Sequence, residues 1–205
     1  MKLLVLSASA KQGGTVNTVC KKLLEGAKSV GHDTEIINLH DYNMKHCVGC
    51  MQCTKSRQCV LKDDFGLLFQ KVREADYIIL GSPIYCHNVV GIMKDFIDRS
   101  CFAVIPYVEV QQEDKLLDKL KCGFNYLDGF KINEPFKTKK LITVLACSNP
   151  ISDFKEADAQ IKKFAGEMGI KKIQKVRCAD TLFRLKSKSI DKIYKKAFAV
   201  GASIK

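Results

Sequence analysis

The sequence Lys2-Leu3-Leu4-Val5-Leu6 is a near-continuous apolar run, the pattern of a strand that is buried on both faces of a parallel sheet. A short loop follows, and residues 15–30 then carry apolar side chains at helical spacing, with Gly31 predicted to end the helix. This stretch therefore predicts a strand, a loop and a helix in succession.

The same alternation recurs along the rest of the chain. The other predicted strands are residues 34–39, 77–80, 141–146 and 172–178, and the other predicted helices are residues 64–75, 91–103, 153–168 and 187–200. Strands that alternate with helices five times predict an α/β fold, a doubly wound, five-stranded parallel sheet with helices on both faces. The 205 residues, of which 46% are hydrophobic, suit a single domain, residues 1–205, with one core.

Two stretches, residues 41–62 and residues 105–140, do not fit this alternation. Long insertions in a compact α/β domain are usually functional or mediate association. The second insertion contains Pro106, Pro135 and the cluster Phe124-Asn125-Tyr126. It could form a cover over an active site, a dimer contact or a surface loop without a specific role.

Composition and net charge limit the kinds of partner that the sequence supports, and the lengths of its apolar runs bear on its cellular location. The formal net charge of +12 comes mostly from lysines scattered from Lys2 to Lys205, and aromatic residues make up only 8% of the chain. We expect no nucleic-acid partner. The interpretation that we favour for the charge is a solvated, lysine-rich surface, and attraction to an acidic redox partner is the alternative. The first apolar run is too short for a secretory signal, and no later run approaches the roughly 18 residues that span a membrane. A cytoplasmic location without a membrane partner is therefore expected.

The first insertion contains four closely spaced cysteines, Cys47, Cys50, Cys53 and Cys59, in the pattern C-x2-C-x2-C-x5-C. Four thiolates on so short a segment can surround one iron-sulfur cluster, and Gly49 gives the backbone freedom to wrap around it. The interpretation that we favour is a single 4Fe-4S cluster. Zinc sites usually pair two C-x2-C units across a longer spacer, so zinc and free or dithiol-forming cysteines are the alternatives. The six remaining cysteines are predicted mostly to pack in the interior: Cys20, Cys86, Cys101, Cys122, Cys147 and Cys178.

Three loops are predicted at the carboxyl ends of strands, where ligands bind in doubly wound sheets. The first, residues 7–17, offers hydroxyls, glycines and a lysine but no carboxylate, and it opens a helix, so it could bind a phosphate. It matches neither a Walker A loop nor a G-x-G-x-x-G loop, and a plain strand-to-helix turn would look similar. The second and third loops, residues 81–88 and 146–150, could hold the two edges of a planar ring.

Four sequence blocks together resemble the iron-sulfur flavoprotein family within the NADPH-dependent FMN reductase and flavodoxin superfamily. These blocks are G-S-P-I-Y at 81–85, M-K-x-F-I-D-R at 93–99, V-L-K-D-D-F at 60–65 and the compact cysteine pattern. The resemblance covers nearly the whole chain. It implies a flavodoxin-like fold, FMN and a 4Fe-4S cluster held by the four cysteines.

The resemblance also implies the residues around FMN. Its phosphate would lie in the first loop, and its ring would lie against residues 83–88 and the loop after the fourth strand. The family's usual G-S-x-R opening reads Ser7-Ala8-Ser9-Ala10 in this chain, which leaves Lys11 as the cation near the phosphate. The predicted FMN-binding residues are Ser7, Ser9, Lys11, Gly14, Thr15, Asn17, Ser82, Pro83, Ile84, Tyr85, Cys86, His87, Asn88, Cys147 and Ser148.

The resulting hypothesis is an oxidoreductase that takes electrons from a low-potential, ferredoxin-like donor and reduces a small acceptor such as oxygen, a quinone or a nitro compound. The family implies a homo-oligomer, a dimer or tetramer, in which cluster and flavin approach each other across the subunit interface. No acid-base pair is required by this chemistry, and none is predicted. The alternatives are an NAD(P)H-dependent FMN or quinone reductase without a cluster, and a zinc-bearing, non-catalytic interaction module.

Overall fold

The computed structural model describes residues 1–56, 58–104, 108–109, 131–132, 136–148, 154–179 and 187–205. The strands are β1 (Lys2–Ser7), β2 (Asp33–Asn38), β3 (Tyr77–Tyr85), β4 (Asn88–Val89), β5 (Val108–Glu109), β6 (Lys131–Ile132), β7 (Lys140–Ala146) and β8 (Lys172–Cys178). The helices are α1 (Thr15–Ser29), α2 (Cys53–Ser56), α3 (Phe65–Glu74), α4 (Gly91–Val104), α5 (Lys155–Glu167) and α6 (Ser187–Ala202). A 3-10 turn, Leu39–Asp41, follows β2.

The five long strands form one parallel sheet in the order β2-β1-β3-β7-β8. This confirms the predicted doubly wound fold. The strand order reverses between β1 and β3. In doubly wound folds, the crevice at the carboxyl end of the sheet at this point is the usual ligand position. Strand β4 was not predicted; it pairs antiparallel with the end of β3.

The inner strands β1, β3 and β7 contribute alternate side chains to two separate hydrophobic cores. On β1, Leu3 and Val5 pack in the core beneath α1 and α6, whereas Leu4 and Leu6 pack with residues of α3, α4 and α5. Because both faces of the sheet are covered, both sets of alternating positions must be apolar. That requirement explains why β1 reads in the sequence as a continuous apolar run.

Helices α1 and α6 pack so closely that their backbones touch. A Cβ atom added to Gly26 would lie 2.1 Å from the carbonyl oxygen of Phe198, and one added to Gly201 would lie 1.9 Å from that of Leu23. The imidazole Nε2 of His32 also lies 3.1 Å from the carbonyl oxygen of Ile204. The last described helix is thus fixed to the first one.

The structure corrects one predicted boundary. Residues 81–85 were expected to begin a loop, but they continue strand β3, which pairs with β7 as far as Pro83 and Ala146. The loop is reduced to a tight turn at Cys86 and His87. Of the second insertion, only residues 108–109, 131–132 and 136–140 are described, and the short strands β5 and β6 pair antiparallel. The suggested cover or dimer contact, with Pro106, Phe124, Asn125, Tyr126 and Pro135, lies outside the described residues.

Within the part of the chain that the structure describes, no helix is both long enough and apolar enough to cross a bilayer.

Candidate functional site

The described residues of the three predicted loops lie along the carboxyl edge of the sheet. Ser7 at the end of β1 is in register with Gly81 of β3, and Gly81 is in register with Val144 of β7. The backbone N–H of Ala8 donates a hydrogen bond of 2.7 Å to the carbonyl oxygen of Gly81. The sheet register therefore brings the loop after β1 beside the end of β3, as a shared ligand site requires.

Buried side chains hold the first loop in place from below. The Asn17 amide donates to the carbonyl oxygens of Ser9, at 3.3 Å, and Lys11, at 3.0 Å, and it accepts a hydrogen bond from the Ser7 hydroxyl. Ser7, Ser9 and Asn17 are buried. The polar atoms of Ser7 and Asn17 are thus used to shape the loop.

Two further side chains, at and just after the end of β2, contact backbone carbonyl groups of this loop, and neither was predicted. The Asn38 amide donates to the carbonyl oxygen of Ser9 at 3.1 Å, and the His40 imidazole Nε2 lies 3.2 Å from the carbonyl oxygen of Ala8. The clue in the sequence is their position, because polar residues that follow the strand beside β1 must lie next to the loop after β1.

The same loop presents an anion-binding helix end. Helix α1 begins after Gly14, which offers no capping side chain, and its first turn contains no acidic residue. The first N–H groups of an α-helix lack intrahelical acceptors and carry the positive end of the helix dipole. Lys11 is exposed beside this end, and Thr15 is half-buried. These features suit a phosphate group.

The turn between β3 and β4 presents an aromatic face. Tyr85 is 68% exposed, although it ends a strand whose earlier residues are mostly buried. Cys86 and His87 adopt positive φ angles of 48° and 67°, in the left-handed region that side chains usually avoid. Such a strained two-residue turn fixes the direction in which Tyr85 leaves the sheet.

The other residues predicted at this edge differ in their exposure. Ser82 is fully buried; its hydroxyl donates to the carbonyl oxygen of Pro83 and accepts from the N–H of Val90. After β7, Cys147 is buried and Ser148 is half-buried. Asn149 and Pro150 of that loop lie outside the described residues. The structure therefore leaves Tyr85 and Ser148, more than Ser82 and Cys147, open to a ligand.

All four cysteines of the C-x2-C-x2-C-x5-C pattern line one pocket. Its wall is formed by Cys47, Val48, Gly49, Cys50, Met51, Cys53, Cys59, Val60, Leu61 and Arg99. Gly49 and Met51 have φ angles of 64° and 56°, which turn the backbone around the pocket. Among the described residues, no three sulfur, imidazole or carboxylate groups are already close enough to hold a metal ion. The neighbouring His46 instead pairs with Asp95, at 2.8 Å.

The four thiols are nevertheless close enough to influence one another's charge. Burial raises the pKa of Cys53, and the charges of Cys59, Cys50 and Cys47 raise it further. Thiolates that repel each other in this way are stabilised when cationic iron binds between them. The donor set, all sulfur, is that of an iron-sulfur or zinc site. The residues present therefore fit the cluster that the spacing predicts.

Arg99 also lines this pocket, and it was not singled out from the sequence. Its side chain, on α4, is 1% exposed and pairs with Asp63, whose side chain is fully buried. One guanidinium nitrogen, Nη2, donates to Asp63 Oδ1 at 2.9 Å and to Cys59 Sγ at 3.2 Å. The signal in the sequence was a charge three residues after the core residue Phe96, where burial requires a partner.

The other cysteines divide as follows. Cys20, Cys147 and Cys178 are buried, as predicted, and burial raises the pKa of Cys178 to about 12 and that of Cys20 further, so both remain thiols. Cys86 is exposed in the turn after β3, which contradicts interior packing for this residue. The side chains of Cys101 and Cys122 lie outside the described set.

Comparison with solved structures defines the class of fold. The chain superimposes on an azoreductase from Bacillus anthracis with a TM-score of 0.73 and 12% identity over 100% of both chains. It also superimposes on an NAD(P)H:quinone oxidoreductase from Methanothermobacter marburgensis, with a TM-score of 0.68 and 12% identity over 98% of this chain and 96% of the other. The strand order and these likenesses make this a flavodoxin-like α/β protein.

Sequence comparison gives the family. The model of the NADPH-dependent FMN reductase family matches residues 1–176, and the chain belongs to this family. It is also 43% identical over 103 residues to an iron-sulfur flavoprotein of Archaeoglobus fulgidus, over 50% of each chain. An iron-sulfur flavoprotein of Methanocaldococcus jannaschii is 35% identical over 100 residues, which are 49% of this chain and 52% of that protein. The matches thus span about half the length of these curated relatives.

Proposed function

We propose that the protein is a flavin-dependent oxidoreductase that binds FMN in the β1–β3 crevice and an iron-sulfur cluster in the four-cysteine pocket. The observation that carries the proposal is that Cys47, Cys50, Cys53 and Cys59 all line one pocket of a chain in the FMN reductase family. The names of the curated relatives support the same assignment.

The residues proposed to bind FMN follow from exposure and charge. The free N–H groups at the start of α1, with Lys11 and Thr15 beside them, would hold the phosphate. Ser7, Ser9, Gly14 and Asn17 would act by shaping that loop, because Asn17 binds its carbonyl oxygens. The ring would lie against Tyr85 and the turn that follows it, with Ser148 at the opposite edge.

The chemistry comes from the two bound groups: a cluster supplies one-electron transfer, and FMN supplies both one-electron and two-electron transfer. The contribution of the chain is to hold the thiolates and bind the phosphate. The proposed activity is the reduction of a small acceptor with electrons from a low-potential, ferredoxin-like donor. The family name also favours NAD(P)H as a donor, which is the second candidate.

Association of subunits is part of the proposal. Val48, Met51 and Val60 surround the cysteine pocket and are 66%, 45% and 41% exposed. Apolar side chains grouped around a redox site are typical of a surface that is covered by another protein chain. A homo-oligomer, a dimer or tetramer, would cover them.

The primary test is an absorption spectrum of anaerobically purified protein, together with iron and acid-labile sulfide counts. We expect flavin bands over a broad sulfur-to-iron shoulder near about 400 nm, with about four irons per chain. Flavin without iron would leave a simple flavin reductase. Zinc without sulfide or flavin would instead identify an interaction module.

A second experiment distinguishes the two candidate electron donors. Anaerobic stopped-flow reduction of the flavin is followed with reduced ferredoxin and, separately, with NADH and NADPH at matched electron equivalents. Faster reduction by ferredoxin supports the proposed donor. Faster reduction by either nicotinamide would replace it with the second candidate.

A further inference from the structure

Arg99 has more hydrogen-bonding partners than a simple ion pair requires. Its Nη1 donates to Asp63 Oδ2 and to the carbonyl oxygen of Lys45 at 3.0 Å, and its Nη2 donates to Asp63 Oδ1 and to Cys59 Sγ. Four of the five guanidinium N–H groups are therefore used. The fifth, on Nε, is buried and has no acceptor among the described residues.

The guanidinium is held firmly in this position. Asp63 accepts the backbone N–H groups of Lys45 at 2.8 Å and Phe65 at 3.2 Å, which fixes the carboxylate that orients Arg99. The Phe65 ring lies beneath the guanidinium, 4.2 Å from the Arg99 Cζ atom. An arginine confined in this way loses little freedom when it donates one more hydrogen bond.

A purely structural role would account for only part of this arrangement. The bonds to Asp63 and to the Lys45 carbonyl already tie α4 to the loop between the 3-10 turn and α3. That tie is complete without the bond to Cys59, which lies four residues before Asp63 in the same segment. It instead directs a buried positive charge at one sulfur of the four-cysteine pocket, which Arg99 also lines.

Hydrogen bonds to the cysteine sulfurs and nearby charge are among the factors that set the reduction potential of an iron-sulfur cluster. Reduction adds one negative charge, which a neighbouring cation stabilises. We propose that Arg99 is a positioning residue that donates to Cys59 and raises the reduction potential of the cluster held by the pocket. This inference rests on the proposed function, because it requires that the cluster be present.

The test compares three single variants with the wild-type protein, each purified anaerobically and assayed for iron and sulfide. R99M removes both the charge and the N–H donors, whereas R99K keeps a positive charge but loses the planar fork. K94Q is the matched control, because Lys94 lies five residues before Arg99 on α4 and pairs with Asp98 in an exposed position. The readouts are the midpoint potential of the cluster, from a redox titration monitored by electron paramagnetic resonance, and the iron–cysteine stretching frequencies in resonance Raman spectra.

We expect the midpoint potential to fall in the order wild type, R99K, R99M, with K94Q equal to wild type within the error of the titration. The stretching frequency of one iron–cysteine bond should rise in R99K and R99M, since loss of the N–H donor strengthens that bond. R99K decides the question if R99M does not fold. A potential in R99K and R99M equal to that in K94Q would overturn the inference alone. Wild-type protein without iron and sulfide would overturn both the cluster and this inference.

Discussion

At the residue scale, the ion pair of Asp63 and Arg99 combines a function toward Cys59 with a structural role. Both side chains are almost completely buried. The net contribution of such a pair to stability is small, because desolvation offsets the attraction of the charges. Removal of one partner, however, leaves an uncompensated charge in the interior.

The first prediction concerns this imbalance. In cluster-free protein, Arg99→Met should lower the free energy of unfolding by about 3–5 kcal/mol, because Asp63 is left buried without its cation. Lys94→Gln should change it by less than about 1 kcal/mol, since that pair is exposed. Urea denaturation followed by circular dichroism measures both values, and equal losses in the two variants would show that the Asp63 carboxylate is satisfied by its other partners.

The second prediction follows from the charge of Asp63 itself. Burial would raise the pKa of this carboxyl, but hydrogen bonds from Arg99 and from two backbone N–H groups outweigh burial and lower the pKa below its ordinary value. The stabilisation is thus complete above the unfolded pKa of about 3.9 and is lost as the pH falls through the lower folded value. The unfolding free energy should therefore decline between about pH 5 and pH 2 less steeply in Asp63→Asn than in wild type.

The sequence did not indicate how Arg99 is used, although the residue stands in a recognisable block. Its helix and the four cysteines were predicted, because periodicity and spacing are local properties of the chain. The contact between Arg99 and Cys59 depends on how α4 packs against an irregular loop. No local pattern in the sequence encodes that contact. The general rule that a buried charge needs a partner was the one available indication of it.

At the scale of elements, the contact between α1 and α6 brings two helix backbones together in the hydrophobic core on one face of the sheet. Both helices use glycine where their backbones touch, at Gly26 and Gly201. Glycine lowers helix propensity, so each of these positions weakens its own helix by about 1 kcal/mol relative to alanine. Close packing of the two helices offsets that loss.

A pair of Gly→Ala substitutions tests this packing. Gly201→Ala should lower the free energy of unfolding by about 1–3 kcal/mol, because the new methyl group would meet the backbone of Leu23. Gly166→Ala on α5 has nothing within 4 Å of the added Cβ and should instead be neutral or stabilising by up to about 1 kcal/mol. Chemical denaturation of the two variants gives the comparison; equal effects would mean that α6 can shift away from α1 without penalty.

The loop after β1 provides the fourth prediction. Asn17→Asp keeps the shape of the side chain but removes two donors to the loop carbonyls and places a negative charge in the first turn of α1. FMN affinity measured by fluorescence quenching should fall at least about tenfold, which corresponds to roughly 1.4 kcal/mol. Asn43→Asp adds the same charge at an exposed position and should change the affinity little. A normal affinity in Asn17→Asp would exclude this loop as the phosphate site.

The long strands and the helices that cover them were largely predictable, and the misplaced end of β3 has a physical reason. Gly81, Ser82 and Pro83 are residues that usually mark loops, so β3 was expected to end at Leu80. Pairing with β7 carries the strand on to Pro83, and antiparallel pairing with β4 extends it to Tyr85. Tertiary pairing has overridden local propensity here, and it makes the predicted ring-binding loop a rigid strand end with a short turn.

At the scale of the whole molecule, the two proposed cofactor sites are built from different parts of the chain. The crevice uses the ends of β1, β3 and β7, whereas the pocket uses residues of the first insertion and Arg99 of α4. The described residues that line the pocket include none of the residues proposed to bind FMN. Loss of one site should therefore leave the other intact.

Cys50→Ala tests this independence. We expect loss of the iron and sulfide, because the cluster would retain three thiolates at most, with flavin content and FMN affinity close to those of wild type. Cys178→Ala is the control, since this cysteine is buried away from the pocket and should leave the iron count unchanged. Iron, sulfide and flavin assays on the same anaerobic samples suffice. Loss of flavin along with iron in Cys50→Ala would show that the two sites depend on each other.

The contact between α1 and α6 also constrains how the protein can be made. Gly26 of α1 contacts α6 and Gly201 of α6 contacts α1, although about 175 residues separate the two glycines in the chain. Helix α1 therefore leaves the ribosome long before its partner has been translated. At roughly 5–20 residues per second, the apolar face of α1 waits about 9–35 s for α6. During synthesis that face lacks its α6 partner and is open to chaperones, and the hydrophobic core between the sheet, α1 and α6 is completed only after residue 201 has been translated.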